Sequence, residues 1–213
     1  QENRKKFSEE ALTNSLEMVI NQPLNFTEET AEIPLYKIEN YDSVLVIGTG
    51  NTAKKFKQQI QQFIQDHQPL VIECNPENDN FKSPSKHYLS VILNWVRLKE
   101  CLQQDKINNP IVTGLSSLPI SYQDKATLYT VPCHISNQAL EITPEKIVLP
   151  SYVVGMFSAA LATLVHPNQT FLVGFDGYAN RALAKQKEME IFWGFIQNQA
   201  KFISLTPTTY SVN

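Results

Sequence analysis

The stretch Ser43-Val44-Leu45-Val46-Ile47 shows no polar alternation and ends abruptly on Gly48-Thr49-Gly50-Asn51. A strand with one wet face alternates apolar and polar residues, so this one must be covered on both faces, as in a parallel sheet. Parallel strands need a crossover connection, and the next residues supply one. Lys54 to Phe63 carries Phe56, Ile60 and Phe63 at helical spacing, with Ile64 beyond, and Pro69 to Cys74 reads as a second short strand. Strand, glycine turn, helix and strand within about 30 residues make one βαβ unit.

The alternation continues down the chain. Tyr88 to Leu93 reads as a strand, Trp95 to Leu102 as a short helix, Ile111 to Thr113 as a strand and Thr127 to Val131 as an edge strand. Ser151 to Val165 then reads as a helix, Thr170 to Val173 as a strand, and Lys185 to Gln199 as a last helix. This order predicts an α/β domain with a doubly wound, mostly parallel sheet, a Rossmann-like three-layer sandwich over residues 41–213. Residues 1–40 differ: Ser8 caps a helix whose Leu12, Leu16, Val19 and Ile20 share a face, and a polar stretch with Pro23 and Pro34 follows. They are expected to form a helix plus linker outside the main fold.

Composition narrows the partners. With 42% hydrophobic and 18% charged residues the chain has material for a core, and its net charge of -3 gives no reason to expect nucleic acid or an anionic membrane. The longest apolar candidate, Tyr152 to Val165, falls short of the ~20 residues that span a bilayer. Cys74, Cys101 and Cys133 are widely spaced, with no CxxC and no His at ligand spacing, which reads as buried free thiols in a cytoplasmic protein. The start at Gln1, without an initiator Met or an apolar signal segment, reads as an excised piece of a longer protein or a processed product, the former favoured because no export signal is visible.

The first turn, Gly48-Thr49-Gly50-Asn51-Thr52-Ala53, satisfies G-x-G-x-x-A. Gly48 permits a tight turn, Gly50 lets a phosphate come close, and the helix behind offers free N–H groups and a partial positive charge. Glu73 closes the next strand at the offset of a ribose-binding acid. Glycine-rich turns of this kind also occur without any ligand.

Two signatures together bring a family into view. Val44 to Lys55 (VLVIGTGNTAKK) resembles the opening strand and loop of the GxGPSL type. Leu149-Pro150-Ser151-Tyr152-Val153-Val154-Gly155, followed by Phe171-Leu172-Val173-Gly174-Phe175-Asp176-Gly177-Tyr178, resembles its second signature. Over residues 42–213 the chain is similar to the C-terminal Rossmann-like domain of 3-hydroxy-3-methylglutaryl-CoA-lyase-like aldolases from bacterial surface-polysaccharide clusters. It is more distantly similar to CMP-sialic-acid sialyltransferases and 6-hydroxymethylpterin pyrophosphokinases.

The resemblance implies a bound nucleotide or sugar nucleotide along Gly48, Gly50, Asn51, Asn75, Asn94 and Ser151, and an aldolase-like barrel elsewhere in the full-length protein. Asn51-Thr52 replaces the family's Pro-Ser, and no His follows the G-F-D-G-Y element, since the last is His166. Sialyl transfer is therefore not implied.

Asp176, just past a strand end, either holds a ribose hydroxyl or a phosphate-bound Mg²⁺, or bonds the N–H groups of the following turn or caps the next helix. Tyr178 either stacks on a base or hydrogen-bonds a phosphate, or packs as an aromatic lid. Thr49 completes the loop. Cys133-His134 is read as structural, because neighbours in an extended segment point to opposite faces. Beside the nucleotide reading stand an NAD(P)-dependent oxidoreductase, a stand-alone glycosyltransferase or pyrophosphokinase, and an interaction module without ligand. The sequence leaves open whether chemistry occurs in this chain and whether it forms a homo-oligomer.

Overall fold

The computed structural model describes residues 41–76, 81, 87–103, 109–114, 128–178 and 182–212. The helix and linker expected over residues 1–40 lie outside them. In chain order the elements are β1 (Ser43–Ile47), α1 (Asn51–Lys55), α2 (Lys57–His67), β2 (Leu70–Cys74), β3 (Tyr88–Val91), α3 (Trp95–Gln103), β4 (Ile111–Thr113) and β5 (Leu128–Thr130). There follow β6 (Cys133–Ile135), β7 (Glu141–Ile142), β8 (Ile147–Leu149), α4 (Val154–Leu164), β9 (Gln169–Val173), α5 (Leu183–Ile196) and β10 (Phe202–Ser204).

Seven strands form one sheet in the order β10-β9-β1-β2-β3-β4-β5, and every pairing in it is parallel. Alternate residues of β1 serve opposite layers. Val44 and Val46 join the cluster that holds Phe157 of α4 and Trp193 of α5, whereas Leu45 and Ile47 join Ile60 and Ile64 of α2. The fold is therefore a doubly wound, Rossmann-like α/β sandwich, and the apolar run of β1 has its cause in burial on both faces.

The chain lays down β1 to β5 toward one edge, then returns to place β9 and β10 on the other side of β1. Strand order reverses between β1 and β9, and the loops leaving their carboxyl ends face each other there. In open α/β sheets this is where ligands bind.

Several local details differ from expectation. The first helix is split at Phe56, whose φ of -103° and ψ of 23° break the run while its side chain packs beside Ile60 and Ile64. Helix α2 ends on Gln68 in the left-handed conformation, immediately before Pro69, which cannot continue a helix. Helix α4 begins at Val154, three residues after Ser151. Its buried Gly155, Ser158, Ala159, Ala160 and Ala162 let it lie close against the sheet. The edge strand β10 and the small β6-β8-β7 sheet were not anticipated; their strands have two or three residues, as short as the β4 and β5 that the alternation did locate. No helix among the described residues is long and apolar enough to cross a membrane.

Candidate functional site

The two loops at the switch point are laced together by hydrogen bonds that consume much of the turn's donor capacity. The Gly48 N–H donates to the Val173 carbonyl at 2.8 Å, and the Gly50 N–H to the Gly174 carbonyl at 2.9 Å. The Thr52 N–H donates to Asp176 Oδ2 at 3.1 Å, and the Thr52 hydroxyl donates to Asp176 Oδ1. The sequence reading expects free N–H groups at this helix start; instead Asp176 brings its own anion to them.

A β-carbon at Gly50 would lie 2.5 Å from Asp176 Cγ and 2.5 Å from the Gly174 carbonyl oxygen. The φ of -66° and ψ of 157° at Gly50 suit any residue. Space alone demands glycine there, and the group filling that space is the Asp176 carboxylate rather than a phosphate.

The end of the chain fastens this arrangement. The buried Thr206 accepts the Gly174 N–H at 3.0 Å, with its hydroxyl 3.2 Å from that of Thr52. Thr208 donates to the Phe175 carbonyl and Thr209 to the Asp176 carbonyl. These residues, with Tyr210, escaped the sequence reading. A hydroxyl-rich segment, Thr206-Pro207-Thr208-Thr209-Tyr210, was the available signal.

Two depressions open on either side of the Gly48–Gly50 turn, sharing it and Cys74. The smaller, about 120 Å³, lies between the loops and is bordered by Val153, Val154, Gly155, Asp176, Tyr178 and Tyr210. Val153, at the capping position of α4, offers no side-chain acceptor, so the orphan N–H groups of that helix's first turn border the same space. Burial raises both phenols above their ordinary range, and the neighbouring Asp176 and Glu190 add to the effect at Tyr210. Both side chains therefore stay neutral and keep a hydroxyl proton to donate.

The larger depression, about 290 Å³, adds Lys54, Lys57, Glu73, Asn75 and Phe81. Glu73 is buried and accepts the Tyr88 hydroxyl. Asn75 adopts a left-handed φ of 45° and keeps a buried Oδ1 without a hydrogen bond, while its carbonyl accepts the Arg97 guanidinium at 2.9 Å. Asn75 also borders an outer hollow of about 590 Å³ beside Asn94 and Arg97. There Asn94 Oδ1 accepts the Arg97 N–H at 3.1 Å and so caps α3.

The structure thus gathers Gly48, Thr49, Gly50, Glu73, Asn75, Asp176 and Tyr178 around one crevice, with Asn94 one hollow further out. Asn51 opens α1, exposed, and borders none of these depressions; Ser151 also lies outside their lining, with a buried Oγ that makes no hydrogen bond. Lys54, Lys57 and Arg97 join the site without having been singled out in the sequence. Cys133 is buried and His134 exposed on β6, the opposite orientation that a nucleophilic pair cannot use.

Cys74, at the floor where the depressions meet, donates to Ser158 Oγ, and burial pushes its thiol from 9.0 up to about 12. It is no nucleophile at neutral pH. Stability should be flat below pH 9, because folded and unfolded thiols are both protonated there. Above pH 9 the unfolded thiol ionises and the folded one does not, so the Cys74 contribution falls by up to about 1.4 kcal/mol per pH unit until about 12, and the buried Cys133 adds a like loss up to about 11. Urea midpoints measured from pH 7 to 11 check this, and Cys74→Ala should shallow the alkaline slope. No family model matches the chain, and no curated protein matches it either.

Proposed function

We propose that this chain is a nucleotide- or nucleotide-sugar-binding domain, with its ligand in the crevice between the β1 and β9 loops. One observation carries the reading. The only reversal of strand order in the seven-stranded sheet, among the described residues, coincides with two adjoining depressions that share the glycine backbone and are lined by hydrogen-bonding groups. Asp176 and Glu73 are acceptors suited to ribose hydroxyls, Tyr178 and Tyr210 are donors, and Asn75 offers an amide edge suited to a base. Lys54 and Lys57 on the β2 side suit the charge of a phosphate.

On the same reading the domain is the C-terminal appendage of an aldolase-like lyase of bacterial polysaccharide synthesis. Bond cleavage then belongs to a barrel encoded upstream of Gln1. Sequencing that region tests this part, and anything other than a TIM-barrel sequence there sinks it.

A thermal-shift panel of CMP, CDP, UDP, ATP and sugar nucleotides tests the binding claim. A ligand present at 100 times its Kd stabilises by about 2.7 kcal/mol, a shift of roughly 5–10 °C for a domain of this size. No stabilisation by any of them removes the reading.

A second reading is supported by Glu73, which borders the same depression as Gly48 and Gly50, where a dinucleotide site places its ribose acid. Stabilisation by NADH that Glu73→Gln abolishes would favour an NAD(P)-dependent domain instead.

A further inference from the structure

Resting on the nucleotide reading, we infer that Asp176 determines which part of a ligand meets the β1–α1 turn, admitting the hydroxyl-bearing nucleoside portion and rejecting polyphosphate. Glycine turns of this kind earn their phosphate through backbone N–H groups and the absence of a β-carbon. Here much of both resources is spent within the chain. The Thr52 N–H and hydroxyl bind the two oxygens of one carboxylate, and the space beside Gly50 holds that carboxylate's Cγ and Oδ1.

The backbone that carries the carboxylate is also held in place. The Asp176 carbonyl accepts the Thr209 hydroxyl, the preceding Phe175 carbonyl accepts the Thr208 hydroxyl, and Thr206 ties Gly174 to the end of the chain. A β-carbon at Gly177 would strike Thr209, so the segment after Asp176 is packed as closely as the one before it. A phosphate brought to the turn finds a fixed negative charge in its position. A ribose or sugar hydroxyl finds an acceptor in a depression that Tyr178 and Tyr210 also line. Asp176 is thereby a specificity-determining residue, distinct from a simple cap.

The test titrates nucleosides, their 5′-monophosphates and their 5′-triphosphates, for each of the four common bases, into the wild-type protein and Asp176→Asn in EDTA, and repeats the series with Mg²⁺. Asparagine keeps an acceptor for the Thr52 N–H and removes the charge. For the base that binds, the wild-type protein should hold the 5′-monophosphate at least as tightly as the triphosphate. In Asp176→Asn the triphosphate should gain tenfold or more relative to the nucleoside.

A wild-type preference for triphosphate overturns the inference, as does an equal change for all three compounds in the variant, which is what a purely structural cap gives. Triphosphate binding that appears in the wild type only with Mg²⁺ also overturns it, since Asp176 then acts as a metal ligand. Should the variant fail to fold, the wild-type order decides by itself. Failure of every compound with both proteins removes the nucleotide reading and this inference together, whereas a reversed order removes the inference alone.

Discussion

Alanine at Gly174 is expected to lower folding stability by about 2–5 kcal/mol, the sum of two separate costs. Gly174 has a φ of 70°, a region in which a β-carbon crowds the following carbonyl and costs roughly 1–2 kcal/mol. The new methyl would also lie 2.7 Å from the Ala53 β-carbon and 2.8 Å from the Gly48 carbonyl oxygen. Overpacking against such fixed atoms adds roughly 1–3 kcal/mol.

Gly50→Ala separates the two costs, because its backbone angles are ordinary and only the second applies. Removing the carboxylate in Gly50→Ala/Asp176→Ala should recover part of that loss, with the Gly174 carbonyl still 2.5 Å away preventing full recovery. Urea unfolding of the three variants gives the numbers. A cost below about 0.5 kcal/mol for Gly174→Ala, the level of an ordinary surface change, would mean that the two loops are not held as described.

This dependence explains why the turn was easy to find in the sequence and hard to interpret. G-x-G-x-x-A is a local pattern, and it correctly located a strand-to-helix turn at the carboxyl end of a buried strand. Its meaning depends on what lies opposite, and Asp176 arrives from 124 residues away. Ala53, the last residue of the pattern, lies 2.7 Å from the position of a β-carbon on Gly174. Gly50, assigned to phosphate approach, makes room for Asp176. Local periodicity carries no information about such a partner.

The same division runs through the fold. Strands buried on both faces, β1 and β2, announce themselves by continuous apolar runs, and the helices between them by spacing. The β6-β8-β7 sheet and β10 were not read from the sequence, although their strands are little or no shorter than β4 and β5, which were. Likewise Ser151 looked like a helix start because helix caps favour serine, yet α4 waits until Val154. Asn94, chosen as a nucleotide contact, carries out that capping role for α3.

Trp193→Ala should cost about 3–5 kcal/mol, a large share of the 5–15 kcal/mol that holds a domain together. Trp193 is 1% exposed, and its ring meets four others: Phe175 at 5.7 Å, Phe192 at 5.4 Å, Phe202 at 5.5 Å and Tyr210 at 6.1 Å. These belong to the β9 loop, α5, β10 and the chain's end, so one side chain joins the parts that set the Asp176 loop. Truncation leaves a cavity that those rigid rings cannot close. The melting point should fall by roughly 6–20 °C.

Trp193→Phe should cost less than half as much, because it retains most of the ring contacts and removes an indole N–H that is buried without a partner. The ordering of the two variants by calorimetry is decisive. If phenylalanine proved as costly as alanine, aromatic packing would not be what Trp193 contributes, and the rigidity of the Asp176 loop would need another source.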